Sequence, residues 1–232
     1  MTNDLELMTV SVVPVILPES FDDIASHAAR VRGLVPRMQI DITDGSYAPT
    51  KTWPYMNDDH LSALMSQDEG LPFWEDISYE VDMLIREPEA ALDTWIDAGV
   101  AGAIIHIEST DAHADILKNV RDKGVELGWG IKPGTPNEKL FEIIDTHGMP
   151  DFVQCMGSDD IGHSGIELDP QVYEKIADIR ARYPELPIAV DIGVNADTAP
   201  ELVEVGATKL VAGTAVFGSA DAAESIEMLK NS

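Results

Sequence analysis

The sequence contains a single cysteine, Cys155, and no long apolar run. One cysteine excludes an internal disulfide and any metal site built on paired cysteines. No apolar stretch reaches the roughly 18 residues of a membrane-spanning helix. The opening residues MTNDLELM are acidic where a secretory signal would be basic. We therefore expect a soluble, cytoplasmic protein.

Basic residues are also scarce, since 15 Lys and Arg stand against 42 Asp and Glu, a formal net charge of −27. A surface this acidic repels nucleic acids and anionic membranes, so we expect neither as a partner. Self-repulsion of such a charge destabilises the compact state, and salt screens it. The acidity fits an ordinary acidic protein as well as one adapted to a salty medium.

The chain of 232 residues, of which 44 % are hydrophobic, is long enough for one or two domains. Short apolar runs alternate with amphipathic stretches along it. Most runs lack strict polar–apolar alternation, as expected of parallel strands covered on both faces. We predict eight strands, at Val10–Leu17, Met38–Ile42, Tyr79–Ile85, Ala103–Ile107, Leu127–Ile131, Phe152–Met156, Ile188–Ile192 and Leu210–Val211.

Apolar residues at helical spacing mark the segments between these strands. Ser20 is predicted to be the N-cap of the first helix, and Gly99 is predicted to end the third. Asp169 is the predicted N-cap of a later helix, and Pro170 is its predicted first residue. A short helix is predicted within Asp58–Met65. The other apolar positions are Phe21, Ile24, Ala28 and Val31; Leu92, Trp95 and Ile96; Ile116, Leu117 and Val120; Leu140, Ile143 and Ile144; Val172, Ile176 and Ile179; and Ala222, Ile226 and Leu229.

Strands and helices in this alternation predict a single α/β domain over residues 1–232, a (β/α)8 TIM barrel. A doubly wound open sheet is the alternative. It is disfavoured because no glycine fingerprint follows the first strand. In a barrel, the chemistry takes place where the strands end at the C-terminal face, so residues there are the candidates for function.

Polar side chains occupy several of these strand ends. Alternation along the second strand places Gln39 and Asp41 on the inward side. Asp82 lies in the third strand. Asp191 follows the seventh strand too early to cap the next helix. These residues are therefore candidates for proton transfer or metal binding at the barrel mouth.

Glycines and small polar residues follow the sixth, seventh and eighth strands. Loops after the last strands of a barrel commonly hold a phosphate with backbone N–H groups and a helix N-terminus. A single glycine indicates only a turn, whereas three neighbouring strand ends with glycines favour an anion site. The candidate phosphate-binding residues are Gly162, His163, Ser164, Gly165, Gly193, Gly213 and Thr214.

Nearly the whole chain resembles the ribulose-phosphate 3-epimerase family in the order and spacing of short motifs. The family's fifth-strand motif, Lys-Pro-Gly-Thr, is unchanged at Lys132–Thr135. The resemblance implies an epimerase or isomerase of pentose phosphate metabolism that acts on a phosphorylated ketose. We also expect a homo-oligomer. The other matching segments are Gln39–Gly45, Glu80–Leu84, Ile105–Glu108, Asp191–Asn195 and Ala212–Phe217.

The resemblance also implies roles for individual residues. The family's proton donor and acceptor match Asp41 and Asp191. Two His and two Asp hold a divalent metal in the family, and the matching positions are Gln39, Asp41, Asp82 and Asp191, so both imidazoles are replaced. An all-oxygen set suits Mg²⁺ or Mn²⁺ better than Zn²⁺ or Fe²⁺. Without a cation, close carboxylates raise at least one pKa, unless Lys132 helps to neutralise them.

Three functions remain open at this point. In an epimerase, two carboxylates would exchange a proton on opposite faces of a carbon beside a carbonyl. A lyase or aldolase of the same barrel type could use Lys132 as a Schiff base, although the lysine of the related decarboxylases is missing from the third strand. A non-catalytic barrel would bind a phosphorylated ligand after losing its metal. We expect His106 to be a hydrogen-bonded barrel residue, and Tyr47 and Trp53 either to cover the site or to pack.

Overall fold

The computed structural model describes residues 10–58, 60–66 and 68–232; the acidic opening segment MTNDLELM lies outside these ranges. Its strands are parallel and close into a barrel in sequence order. This confirms the predicted (β/α)8 TIM barrel and excludes the open sheet. The strands are β1 (Ser11–Ile16), β2 (Arg37–Thr43), β3 (Ser78–Leu84), β4 (Gly102–His106), β5 (Glu126–Ile131), β6 (Phe152–Met156), β7 (Ile188–Asp191) and β8 (Lys209–Ala212).

Helices cover the outside of the barrel. No helix in the described part of the chain has the length and apolar character needed to span a membrane. Two short helices, Ala199–Glu204 and Thr214–Phe217, were not predicted, because segments of six and four residues show no clear period. The helices are α1 (Phe21–Val31), α2 (Leu61–Met65), α3 (Glu89–Asp97), α4 (His113–Lys123), α5 (Asn137–His147), α6 (Gln171–Arg182), α7 (Ala199–Glu204), α8 (Thr214–Phe217) and α9 (Ala222–Lys230).

The predicted helix ends agree with the structure to within about one residue. The Ser20 hydroxyl accepts a hydrogen bond from the Asp23 N–H at 3.1 Å, which confirms it as the N-cap of α1. The prediction for α6 was wrong by one position, because Pro170 is the N-cap and the helix begins at Gln171. Asp169 still accepts the Gln171 N–H at 2.9 Å, so its side chain satisfies a donor of the first turn.

Two of the buried apolar clusters pack the strands and helices of the barrel together. The larger lies between the strands and the helices, where Ile24 of α1 and Trp95 of α3 are buried. The smaller contains residues of several strands, including Val13 and Phe152. Strands β2 and β3 pair with Asp41 beside Asp82, so the two carboxylates lie at one level of the barrel. This strand pairing therefore places two of the acidic side chains of the site next to each other.

Candidate active site

A cavity of about 710 Å³ opens at the C-terminal ends of the strands. Asp41 and Asp191 both line it, and so does every residue of the predicted phosphate site. Gln39 and Asp82 are fully buried and do not line it. The candidate residues from β2, β6, β7 and β8 thus converge on one place: Asp41, Gly162, His163, Ser164, Gly165, Asp191, Gly193, Gly213 and Thr214.

Three buried carboxylates form the inner part of the site. Carboxylate oxygens of Asp41, Asp82 and Asp191 lie within 4.8 Å of one another. Gln39 Nε2 donates to Asp41 Oδ1 at 2.9 Å and to Asp191 Oδ2 at 3.0 Å. The four residues that the resemblance implies as metal ligands therefore lie close together. Gln39 also donates a hydrogen bond to each of the two expected acid–base residues.

Asp82 is held by two further side chains. His106 Nε2 donates to Asp82 Oδ1 at 2.9 Å, and Gln154 Nε2 donates to Asp82 Oδ2 at 2.8 Å. All three side chains are fully buried. His106 is thus a hydrogen-bonded barrel residue, as expected. Gln154 was missed, although an amide in the middle of the apolar run Phe152–Met156 was the available signal.

The electrostatics of the cluster follow from burial and crowding. Burial, with repulsion from Asp191 and Asp82, holds the pKa of Asp41 well above its ordinary value. Burial and Asp82 raise the pKa of Asp191 to about 7. Burial alone would lower the pKa of His106, but Asp82 outweighs it and the pKa is raised. The cluster has an excess of negative charge that a proton or a cation would relieve.

The donor set fits a hard divalent cation. Among the described residues, Gln39 Oε1 and Gln154 Oε1 are buried atoms that lack a hydrogen-bond partner. Rotating the Gln39 amide by a half-turn places Oε1 where the N–H group now lies, so that the oxygen faces Asp41 and Asp191. Three close carboxylates and an amide oxygen are the ligands that Mg²⁺ and Mn²⁺ accept. The residues present could therefore hold a divalent metal.

Two glycines at the cavity are required by close packing. Gly193 has a positive φ of +74°, and a Cβ there would lie 2.6 Å from the backbone nitrogen of Leu168. Gly162 has a φ of +83°, and a Cβ there would lie 2.7 Å from both Ala48 Cβ and Thr50 Oγ1. Both segments thus pack against neighbouring loops while they line the cavity.

One part of the long loop after β2 packs in the interior, and another part contacts side chains at the ends of β4 and β5. Trp53 is fully buried against Trp95, with ring centroids 5.8 Å apart, so it packs. The Tyr47 hydroxyl donates to Glu108 Oε2 at 3.1 Å, and Lys132 Nζ lies 4.7 Å from the centre of the Tyr47 ring. Lys132 is not among the described residues that line the cavity. This disfavours a Schiff base at Lys132.

Two basic side chains at the cavity, Lys51 and His27, were not predicted from the sequence. His27 lies one turn after Asp23 on α1, and its Nδ1 is 2.9 Å from Asp23 Oδ1. Its ring meets Phe217 edge-on, with centroids 4.7 Å apart. Neither residue stands in a strand-end motif, so nothing in the pattern of the sequence singled them out.

Comparison with known sequences gives one consistent family. The profile described as the ribulose-phosphate 3 epimerase family matches residues 11–217. A cytoplasmic isoform of ribulose-phosphate 3-epimerase from Oryza sativa subsp. japonica is 27 % identical over 223 residues, covering 95 % of this chain and 93 % of its own. The ribulose-phosphate 3-epimerase of Mycobacterium bovis is 29 % identical over 224 residues, covering 94 % and 91 %.

Solved structures agree on the fold. A 3-hexulose-6-phosphate synthase from Salmonella typhimurium superposes with a TM-score of 0.69 at 14 % identity, covering 96 % of this chain and 97 % of the other. A 3-keto-L-gulonate-6-phosphate decarboxylase from Vibrio cholerae gives a TM-score of 0.65 at 14 % identity, with the same coverage. At such low identity these likenesses establish the barrel architecture alone.

Proposed function

Because the chain belongs to the ribulose-phosphate 3-epimerase family, we propose that it epimerises a phosphorylated pentulose such as ribulose 5-phosphate. One observation carries this proposal beyond the family relationship. Asp41 and Asp191, which the resemblance matches to the family's proton donor and acceptor, both line the cavity, and Gln39 joins them at hydrogen-bond distance. Two carboxylates in this position supply the two proton-transfer groups that epimerisation needs.

The reaction inverts a carbon beside a carbonyl. One carboxylate removes the proton from C3, and the bonding electrons move into the carbonyl to give an enediolate. The other carboxyl group then returns a proton to the opposite face of C3, which restores the carbonyl. Asp41 and Asp191 lie on β2 and β7, separated around the barrel by β1 and β8, so they can address the substrate from two sides. Epimerisation needs one of these carboxyl groups ionised and the other protonated. In the metal-free cluster, burial and mutual repulsion raise the pKa of both, which favours a proton shared between them.

A divalent cation fits beside these groups. We propose that Gln39, Asp41, Asp82 and Asp191 would hold Mg²⁺ or Mn²⁺, because every available donor is an oxygen. When bound, the cation supplies positive charge against the negative oxygen that develops during proton transfer. His106 and Gln154 fix both oxygens of Asp82, so this carboxylate is oriented before any ligand arrives.

The phosphate group is assigned to the segments at the ends of β6, β7 and β8. The supporting observation is that Gly162–Gly165, Gly193 and Gly213 share one cavity with Asp41 and Asp191. In a protein of charge −27 the overall field does not attract an anion, so local groups such as backbone N–H must do so. This assignment separates the phosphate from the reacting carbon within one site.

A direct assay tests the proposal. The protein is stripped with a chelator, reloaded with Mg²⁺, Mn²⁺ or Zn²⁺, and incubated with D-ribulose 5-phosphate while NMR follows the sugar. We expect conversion to D-xylulose 5-phosphate that is lost with the chelator and restored best by Mn²⁺ or Mg²⁺. Binding of the sugar phosphate without conversion under any metal would overturn the proposal in favour of a non-catalytic binder.

A further inference from the structure

Lys51 is a positively charged residue in the lining of a mainly acidic cavity. It is the one lysine or arginine among the described residues that line it, whereas Glu19, Asp23, Asp41 and Asp191 contribute carboxylates. Within the described chain, Lys51 Nζ makes no hydrogen bond or ion pair, and the side chain is exposed. A chain with 15 basic and 42 acidic residues thus places an unpaired ammonium group at the mouth of its acidic site.

The backbone around Lys51 is firmly held. Residues 43–52 double back on themselves, and Lys51 forms an antiparallel bridge with Asp44. Thr52 N–H donates to the Thr43 carbonyl at 3.0 Å, and Thr43 N–H donates to Thr52 Oγ1 at 2.9 Å. We call this segment, residues 43–52, the β2 strap. It fixes the position of Lys51 although the side chain itself remains exposed.

The β2 strap is joined to the proposed phosphate segment. Thr50, directly before Lys51, donates from Oγ1 to the Gly162 carbonyl at 2.8 Å. Gly45 of the strap has a φ of +87°, and a Cβ there would lie 3.4 Å from Lys51 Cε. The lysine stem therefore lies along bare backbone at Gly45. These contacts bring the base of the Lys51 side chain next to the loop that begins at Gly162.

We propose that Lys51 binds the phosphate group of the substrate and so selects phosphorylated over unphosphorylated pentuloses. The identity of the substrate rests on the function proposed above. A phosphate dianion that enters this cavity meets several carboxylates, and Lys51 is the one lysine or arginine among the described lining residues that can offset their charge. A charge-assisted hydrogen bond from an ammonium to a phosphate changes affinity by about 10- to 100-fold.

Three variants test the proposal. Lys51→Met removes the charge and keeps the length of the side chain, whereas Lys51→Arg keeps a charge. Lys139→Met is the matched control, because Lys139 is exposed on α5 and does not line the cavity. Calorimetry measures binding of a pentitol 5-phosphate, which has no carbonyl and cannot react, and of the unphosphorylated pentitol. Steady-state assays give KM and kcat for the phosphorylated pentulose.

We expect Lys51→Met to weaken binding of the pentitol phosphate by about 10- to 100-fold and to raise KM by a similar factor with kcat unchanged. Lys51→Arg should recover most of the loss, and Lys139→Met should match the parent protein. Binding of the unphosphorylated pentitol should be the same in all variants. The melting temperature of each variant shows whether it is folded.

The proposal is overturned if Lys51→Met binds the pentitol phosphate as the parent does, or if Lys139→Met loses as much affinity. A fall in kcat with KM unchanged also contradicts it, since Lys51 would then act at the reacting carbon. Calorimetry needs no turnover, so the two proposals fail separately. A protein that binds phosphate through Lys51 without epimerising refutes only the function, and an epimerase indifferent to Lys51 refutes only this inference.

Discussion

Gln39 Nε2 lies 3.0 Å from Asp191 Oδ2, although the two residues belong to strands β2 and β7. The same nitrogen lies 2.9 Å from Asp41 Oδ1. One amide group thus bridges these two carboxylates, at a position that the sequence resemblance matches to an imidazole of the family. This bridge links the substitution in the sequence to the chemistry of the site, because an amide can present either N–H or oxygen to the same neighbours.

The two bridged carboxylates should be indispensable for turnover. Asp41→Asn and Asp191→Asn should each lower kcat by about 10²- to 10⁴-fold, because the amide cannot transfer the proton. Binding of the pentitol phosphate should persist, since the amide keeps the shape and the phosphate segments are separate. Asp122→Asn on the exposed face of α4 is the control and should have full activity. A variant at Asp41 or Asp191 with parental kcat would contradict the assignment.

The replaced imidazoles should determine the choice of metal. Restoring them with Gln39→His and Asp82→His together should move the preference from Mn²⁺ or Mg²⁺ towards Zn²⁺, Fe²⁺ or Co²⁺, because nitrogen ligands favour these ions. Competition between metals, followed by elemental analysis of the protein, measures the order of preference. An unchanged order in the double variant would show that these positions do not ligate the metal.

The metal-free protein should become less stable as pH rises. Buried Asp41 and Asp191 have raised pKa values, the latter about 7, whereas unfolded carboxyls titrate near 4. Between roughly pH 4 and 7 the folded state therefore binds more protons than the unfolded state, and the free energy of unfolding falls with rising pH. The melting temperature in chelator should drop from about pH 5 to about pH 7.

Two comparisons separate this effect from other titrations. Asp191→Asn should weaken the pH dependence in chelator, because one of the two groups is gone and its repulsion no longer raises the pKa of Asp41. Added Mn²⁺ should raise the melting temperature most near neutral pH, where the carboxylates are ionised and available. An identical slope in the parent and in Asp191→Asn would show that the buried pair does not control the pH dependence.

The net charge of −27 should make stability depend on salt. Counterions screen repulsion between exposed carboxylates, so the melting temperature should rise substantially between low and molar KCl. Calorimetric scans across a KCl series measure this rise. A flat or falling curve would remove the link between the acidity and a salty medium and leave an ordinary acidic protein.

Much of the fold was predictable because it rests on local patterns. Apolar runs covered on both faces marked all the barrel strands, and the Ser20 cap was visible in the sequence. Helices α7 and α8 were not, because four to six residues carry too little periodicity. The homo-oligomer and the cytoplasmic location stay predictions.

The site was predictable only where a side chain stands at a strand end. Asp41, Asp82 and Asp191 follow that rule, and the structure brings them within 4.8 Å. Gln154 was hidden within an apolar run, and its bond to Asp82 depends on the barrel closing across several strands. Lys51 reaches the cavity through the fold of the β2 strap, which no periodicity in the sequence reveals.

Solvent deuterium exchange at C3 of the sugar phosphate tests the central claim most directly. In D₂O with Mn²⁺, two-carboxylate proton transfer predicts that the epimerised product carries deuterium at C3, visible by NMR and mass spectrometry. The Asp41→Asn and Asp191→Asn proteins should bind the sugar phosphate but incorporate deuterium about 10²- to 10⁴-fold more slowly. Absence of deuterium from C3 in the parent protein with every divalent metal, despite bound sugar phosphate, would contradict the account.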